Sequence, residues 1–431
     1  MKKAELVFIP LPTMGHVVAA VEMAKLMVER EDRISTNVLI INPTIDSSTT
    51  KYIDSLTEST LPNRFRVVPL PRPEHISETY ADHKMLPSLV EAQNPNIKEF
   101  VSKLKTQSEL SPDSPRLAGF VLDMFVTGIK NLAEEFGVPW YVFFVSSAAY
   151  LGCVLHLQAL HDEKKVDLTQ FENSDAEMQI KSLVNRFPAK LLPDMVFDRE
   201  PLATLLEVAR GSSAARGILI NTFTELEPHA VNSLSNSKIP PIYPIGPIVK
   251  CEGNGYDVRS DSSIDYRDIM QWLDDQPPSS VVFLCFGSWG SFDVEQVKEI
   301  ACALEHCGHR FLWSLRKPSI KVATWPIYAE QQFIAFEMVI ELGLSVDLKM
   351  DYRENILVDD GNEVIVNSDD IKRGLKSVME QDNEIRKKVK KMSRISKKAL
   401  MDGGSSSSAL AQVIEDVMAT KHEAIVSSRH K

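Results

Sequence analysis

The sequence predicts an α/β protein of two domains. Short apolar runs that stop at proline or glycine alternate with stretches whose apolar residues recur at helical spacing. That alternation belongs to a mostly parallel sheet covered by helices on both faces. The 431 residues, 44% hydrophobic and 25% charged, suffice for two full cores. Between them, Ile239–Val249 (IPPIYPIGPIV) holds four prolines and one glycine in eleven residues, and the polar CEGNGYDVRSDSS follows. This is a domain boundary, and a semi-extended connector of this kind suits two domains facing one another across a cleft. The expected divisions are 1–245, 246–408 and a C-terminal helix and tail at 409–431.

In chain order, Ala4–Ile9 is a strand halted by Pro10 and Pro12. Val17–Glu29 is a helix, with Val17, Val21, Ala24, Leu26 and Val28 at its period. The loop between them, PLPTMGH, has one glycine where a dinucleotide-binding G-x-G-x-x-G has three. Strands are expected at Asn37–Ile41, Phe65–Pro69, Ala118–Leu122 and Trp140–Val145, and helices at Leu86–Lys105, Val126–Phe136 and from Ser147. Glu163–Arg216 reads as polar and irregular, packing helices over the cleft. Strand Gly217–Asn221 leads into TFTELEPHAVNSL, where Thr224 and Glu227 have the spacing of a capping box and His229 is a surface residue.

Past the connector come a helix at Ile264–Asp274, a strand at Val281–Gly290, a helix at Val294–His306 and a strand at Phe311–Leu315. Helices follow at Phe333–Leu344, Ser368–Glu380 and Asn383–Met401, and a last one at Ala409–Ala419 after the break MDGGSSSS. The tripeptide His306-Cys307-Gly308 suggests a ligand pair, but glycine ends helices and histidine suits their C-terminal dipole, so it reads as a cap.

Ligands of parallel α/β sheets bind outside the carboxyl ends of the strands, and His16, Asp123 and Ser146 all fall there. At a helix start, the positive dipole end disfavours imidazolium, which leaves His16 a neutral ring able to accept a proton. Asp123 closes its strand and is placed to orient that ring and stabilise it once protonated. Each also has a plain reading, His16 as a capping or packing residue and Asp123 as a helix N-cap. In the second half, the Gly-Ser after the strand ending VVFLCFGS exposes backbone N–H groups and the Ser288 hydroxyl where phosphate oxygens are commonly held, although the same pattern also makes simple turns.

The net charge of −11 and pI of about 5.5 argue against a nucleic-acid or anionic-membrane surface. The basic run Arg386–Lys398 is the one candidate for such a surface, and its helical spacing makes it a solvated face. Five cysteines without C-x-x-C spacing suggest neither disulfides nor a zinc site, so no metal is expected. The N-terminal apolar segment is too short and proline-broken for a signal peptide, and no 18-residue apolar run spans a bilayer. A cytoplasmic monomer is expected.

Taken together, PLPTMGH, VLDMF, Asn221–Glu227, PIYPIGP, WLDDQPPSSVVFLCFGS, RFLWSLR, ATWPIYAEQQ and DGGSSSSA resemble the plant family-1 UDP-glycosyltransferases, most of all those acting on flavonoids and other small phenolics. The resemblance runs in order along nearly the whole chain. It implies the GT-B fold, two Rossmann-like domains facing across a cleft. It also implies transfer of glucose to an acceptor hydroxyl with inversion, UDP-sugar serving as donor substrate and no cofactor being needed. His16 would be the general base, Asp123 its charge partner, and Ser146 part of the acceptor wall. Ser288 would contact phosphate, and Glu330 and Gln331 the sugar hydroxyls.

The sequence departs from that family at Arg316–Gln332. The family's donor signature opens Trp-x-Pro-Gln and runs through His-Cys-Gly-Trp-Asn-Ser to the acidic-Gln pair, and only its end, ATWPIYAEQQ, is present. Chain geometry agrees. If Phe311–Leu315 and Val322–Ile327 are parallel strands of one sheet, a crossover needs a dozen or more residues, yet only Arg316–Lys321 separates them. Either these strands pair differently, or the sheet lacks a section, or the second domain is the product of a deletion. Impaired UDP-sugar binding is expected, and a non-catalytic protein that binds apolar phenolics is the alternative. A dinucleotide oxidoreductase is opposed by the missing glycine fingerprint.

Overall fold

Seven parallel strands form the large sheet: β1 (Ala4–Ile9), β2 (Ile34–Ile40), β3 (Phe65–Pro69), β4 (Arg116–Asp123), β5 (Trp140–Phe144), β6 (Gly217–Ile220) and β7 (Ile242–Pro244). Their order is β3-β2-β1-β4-β5-β6-β7. In this computed structural model the described residues are 3–42, 47–58, 63–73, 86–111, 113–249, 266–286, 292, 294–314, 330–351, 365–380 and 383–419. The central strands are buried almost throughout, β1 and β5 at every position, as strands covered on both faces must be. Gly119 in β4 is required by packing, because a Cβ there would lie 2.7 Å from the Pro139 carbonyl oxygen.

Helices α1 (Met14–Arg30), α2 (Ser47–Glu58), α3 (Leu86–Ala92), α4 (Asn94–Leu110), α5 (Lys130–Phe136), α6 (Ala148–Asp162), α7 (Arg199–Ala214) and α8 (Pro228–Ser235) accompany this sheet. The single helix expected over 86–105 is two, because Pro95 cannot donate a backbone hydrogen bond and instead starts α4. Gln93 fills the break between them, donating to the carbonyls of Asn42 (2.7 Å) and Pro71 (3.1 Å). The helix expected from Val126 begins as a 3-10 turn over Met124–Ile129. The stretch read as irregular contains α7, whose Arg210 grips Asp162 of α6 through Nε (2.9 Å) and Nη2 (2.7 Å). Those bonds, with Gln158 and His161, hold the Asp162 carboxyl far below its usual range.

The chain divides into two compact units that are not contiguous in sequence: residues 1–166, 199–258 and 396–431 form one, and residues 167–198 and 259–395 the other. In the second, α9 (Tyr266–Asp274), β8 (Val281–Leu284), α10 (Val294–Cys307) and β9 (Arg310–Trp313) precede α11 (Gln331–Phe336), which continues as a π-helical turn, Glu337–Glu341. Helices α12 (Ser368–Met379) and α13 (Glu384–Leu400) follow, the residues of α13 from Ser396 on belonging to the first unit. As expected, β8 and β9 are parallel neighbours. They make a two-stranded sheet among the described residues, and the strand expected at Val322–Ile327 lies outside those residues. The unit's core cluster comprises Leu284, Phe292, Ile300, Ala303, Leu304, Val366 and Ile371, while Phe283 and Phe311 stay 63% and 43% exposed. The segment from 167 to 198 belongs here: Phe187 packs on Phe333 and Phe336 at 5.0 Å each, and Glu341 accepts from the backbone of Val184 (2.9 Å) and Asn185 (2.8 Å). His306 caps α10 as expected, its ring 2.8 Å from the Cys302 carbonyl, ahead of Gly308 at φ +71°.

The last helix, α14 (Ser405–Ala419), starts four residues earlier than expected and joins the first unit's core through Ala409, Leu410, Val413, Ile414 and Val417. Asp416 fastens it by accepting from the Tyr141 hydroxyl (2.7 Å) and from Arg216 Nη2 (2.8 Å), and Arg116 Nη2 donates to the Val417 carbonyl (2.9 Å). Among the described residues no helix is long and apolar enough to cross a membrane.

Glu5 in β1 is a buried carboxylic acid whose hydrogen-bond donor is Asn37 Nδ2 at 2.8 Å. Burial raises its pKa above the ordinary 4.5, against the pull of Asn37 and Arg66. The folded state thus holds its proton more tightly than the unfolded chain. The resulting stabilisation is complete below pH 4.5 and is lost as pH rises through the folded pKa. Glu5→Gln keeps an acceptor for Asn37 without the charge. The melting temperature of the variant relative to the parent should therefore rise with pH from about 4.5 to 8, and a pH-independent difference refutes this.

Candidate active site

Strand order reverses between β1 and β4. From β1 the chain works outward to β3, then crosses back and works outward on the other side, so loops leaving these two adjacent strands diverge and open a crevice at their carboxyl ends. His16 lies in the first turn of α1, just after β1, and Asp123 is the last residue of β4. The structure joins them: His16 Nδ1 and Asp123 Oδ2 are 2.6 Å apart, with the imidazole 19% exposed and the carboxylate 1%. The Phe125 ring lies 5.8 Å from the imidazole, tilted by 54°.

Asp123 makes two contacts at once. While Oδ2 faces His16, Oδ1 accepts from the Phe125 backbone N–H at 3.0 Å and caps the 3-10 turn. Capping locks the carboxylate's rotamer, which in turn aims its second oxygen at the ring. A carboxylate on Nδ1 favours the tautomer with the proton there and the basic lone pair on Nε2, and a ring charged at both nitrogens is stabilised by the same contact.

Ser146 follows β5, the strand paired with β4, and is half-buried immediately before the N-cap of α6. The cap is Ser147, whose Oγ accepts from the Tyr150 N–H at 3.0 Å. Reading the sequence missed the second support of this corner. Glu227 does not serve a capping box with Thr224. Its buried carboxylate reaches α6 instead, accepting from the backbone N–H groups of Ala148 (3.1 Å) and Ala149 (2.7 Å). α8 begins with no side-chain cap. The signal was present in the Asn221–Glu227 motif, but a contact across 79 residues has no local spacing to reveal it. Asn221, in the same motif, pins the proline-rich connector, accepting from the Ile248 N–H at 2.7 Å.

In the second unit, Glu330 stands at the N-cap position of α11 and Gln331 is that helix's first residue. Ser288 lies outside the described residues. Among those described, no group of three or more His, Cys, Asp or Glu residues is placed to hold a metal ion.

No protein-family model matches the chain. Whole proteins do. Anthocyanidin 3-O-glucosyltransferase 1 of Manihot esculenta is 44% identical over 472 aligned positions, covering 94% of this chain and 100% of the relative. UDP-glucose flavonoid 3-O-glucosyltransferase 6 of Fragaria ananassa is 42% identical over 488 positions, covering 97% and 99%. Among solved structures, a UGT transferase from Siraitia grosvenorii in complex with UDP superposes with a TM-score of 0.81 at 35% identity, covering 96% of this chain and 100% of that one. A UGT of Medicago truncatula complexed with UDP-glucose gives 0.82 at 30% identity, covering 96% and 98%.

The chain belongs to the plant UDP-glycosyltransferases. Its fold is the α/β GT-B fold of that family, and it is a transferase by descent. Both alignments are longer than the 431 residues of this glycosyltransferase, so each relative carries residues for which it has no counterpart.

Glu227 gives a prediction. Glu227→Ala strips two N–H groups at the start of α6 of their buried acceptor, and Glu227→Gln turns an NH2 toward one of them. Each lost bond is worth about 1–3 kcal/mol, so amide hydrogen exchange at Ala148 and Ala149 should accelerate by about tenfold or more in both variants. Unchanged exchange in Glu227→Ala refutes the assignment.

Proposed function

We propose that this glycosyltransferase moves glucose from UDP-glucose to a hydroxyl of a small phenolic acceptor of the flavonoid type, inverting the anomeric carbon. The observation that carries the reading is the 2.6 Å His16–Asp123 pair at the point where strand order reverses. His16 Nε2 takes the acceptor hydroxyl proton as that oxygen attacks the anomeric carbon from the face opposite UDP. The bond from the anomeric carbon to the diphosphate oxygen breaks in the same displacement, and UDP leaves with the electron pair. Asp123 compensates the imidazolium charge that forms. No covalent sugar–enzyme intermediate and no cofactor enters this scheme. Ser146 stands on the acceptor wall, Glu330 and Gln331 bond the sugar hydroxyls, and Ser288 meets a phosphate oxygen.

The names of the relatives support the donor and acceptor classes, two of them being anthocyanidin and flavonoid 3-O-glucosyltransferases. The absence of any membrane-crossing helix among the described residues fits a protein acting away from the bilayer interior, and we propose a cytoplasmic monomer.

One observation favours a second reading. The alignments exceed the chain in length, and the sequence lacks the part of the donor signature expected to stack on uracil and hold the pyrophosphate. A weakened hold on pyrophosphate removes stabilisation of the charge developing on UDP. A chain so altered binds phenolics through the first unit with little or no turnover.

Incubation with UDP-glucose and a flavonol, scored for glucoside and for released UDP, distinguishes the two. Under the first reading glucoside forms, and His16→Ala lowers its rate by about 10²–10⁴ while Asp123→Asn lowers it by about 10² or more. Saturable flavonol binding without glucoside supports the second, and binding of neither ligand overturns both. Titration calorimetry with UDP-glucose should show no saturation in the micromolar range, meaning donor binding weaker than about −8 kcal/mol. Micromolar saturation refutes the loss of donor grip.

A further inference from the structure

Helix α13 carries eight of the chain's cations and one acid within Glu384–Leu400, in a chain whose net charge is −11. At about 100° per residue they sort cleanly. Seven of the eight cations, all but Lys388, fall on one half of the helix, and Ile385, Val389, Met392, Ile395, Ala399 and Leu400 fall on the other. The middle of the apolar stripe is turned inward, with Ala399 buried and Met392 and Ile395 half-buried. Its rim is not. Val389 is 44% exposed and Leu400 40%, and Met401, just past the helix end, is 62% exposed. On the helical projection Arg386, Lys390 and Lys397 border this rim, and Lys390 and Lys397 are exposed. Within the helix, Lys387 pairs with Glu384 at 2.8 Å.

We infer that the face of α13 bearing Val389, Leu400 and Met401 together with Lys390 and Lys397 is a docking surface for an anionic phospholipid membrane. Charge selects the occupant. A helix lying in a membrane interface needs cations that reach lipid phosphates and, beside them, aliphatic side chains that enter the headgroup boundary, and this rim supplies both. A nucleic acid also offers phosphates, but it gives no partner to exposed aliphatic groups. α13 has no aromatic residue on which a base could stack. The attachment is peripheral and reversible. It places the enzyme next to a bilayer, where apolar phenolics concentrate.

Sedimentation of the full chain with vesicles tests the inference. With about 30 mol% phosphatidylserine in phosphatidylcholine at about 50 mM salt, partitioning should exceed that onto pure phosphatidylcholine by about tenfold, and should fall steeply as salt is raised. The double substitution K390E/K397E should lower it by about tenfold. V389Q/L400Q, altering two exposed side chains, should lower it several-fold without changing the far-ultraviolet circular dichroism. K164E/K238E, which changes net charge equally at exposed residues elsewhere, should leave it unchanged. Equal partitioning onto both vesicle types overturns the inference, as does none, or indifference to both α13 variants. Displacement of the chain from anionic vesicles by single-stranded RNA at matched phosphate concentration reassigns the surface to nucleic acid and overturns it as well.

Discussion

Parallel strands cannot be joined by a tight turn, and this one constraint shapes both units. Each connection in the large sheet must climb over a face, and the helices that do so bury the strands they connect. Since every strand runs the same way, all the loops that follow strands emerge at one edge. Residues 107 positions apart, His16 and Asp123, are thereby brought within a hydrogen bond. In the second unit β8 and β9 likewise have α10 between them as their crossover.

The pair at the carboxyl edge depends on neighbours that are not chemical participants. Asp123 is fixed because its other oxygen ends a 3-10 turn, and that turn holds Phe125 against the imidazole. The corner carrying Ser146 is fixed twice, by Ser147 from within its own helix and by Glu227 from beyond β6. The backbone N–H groups of Ala148 and Ala149 converge on the Glu227 carboxyl and satisfy its oxygens at 3% exposure. Side chains thus tie the carboxyl end of β1 to that of β4, and the carboxyl end of β5 to that of β6.

The legible parts of the fold were those where local pattern and final environment coincide. Largely apolar runs such as Ala4–Ile9 and Trp140–Phe144 are strands in both readings, and Val294–Cys307 shows its helix period and its glycine stop openly. Legibility failed where tertiary contact overrides composition. α7 looks irregular because its Arg210 and Glu207 are polar, yet Leu202, Leu205, Leu206 and Ala209 face inward. α2 lies in a Ser/Thr-rich stretch with poor helix propensity, and Tyr52, Ile53 and Leu56 secure it by burial. At the site, the residue types and strand-end positions of His16 and Asp123 were readable, while their mutual contact was not until the strand order was known. Glu227 was misassigned for a related reason, since capping-box spacing is local and its real partners are 78 and 79 residues away.

The non-contiguous build of the first unit bears on what the chain retains. Its core draws on α14, which arrives after the whole second unit has been traversed, and α14 is held by Asp416 to Tyr141 and Arg216 and by its backbone to Arg116. That core is drawn from residues 4–248 and 409–417, so none of it comes from the segment between β9 and α11. The His16–Asp123 pair and its supports therefore stand in the unit with the larger core cluster, whereas the positions expected to contact the donor, Ser288, Glu330 and Gln331, fall in the other unit. The contact between His16 and Asp123, and the 3-10 turn that fixes the carboxylate, therefore owe nothing to the segment between β9 and α11.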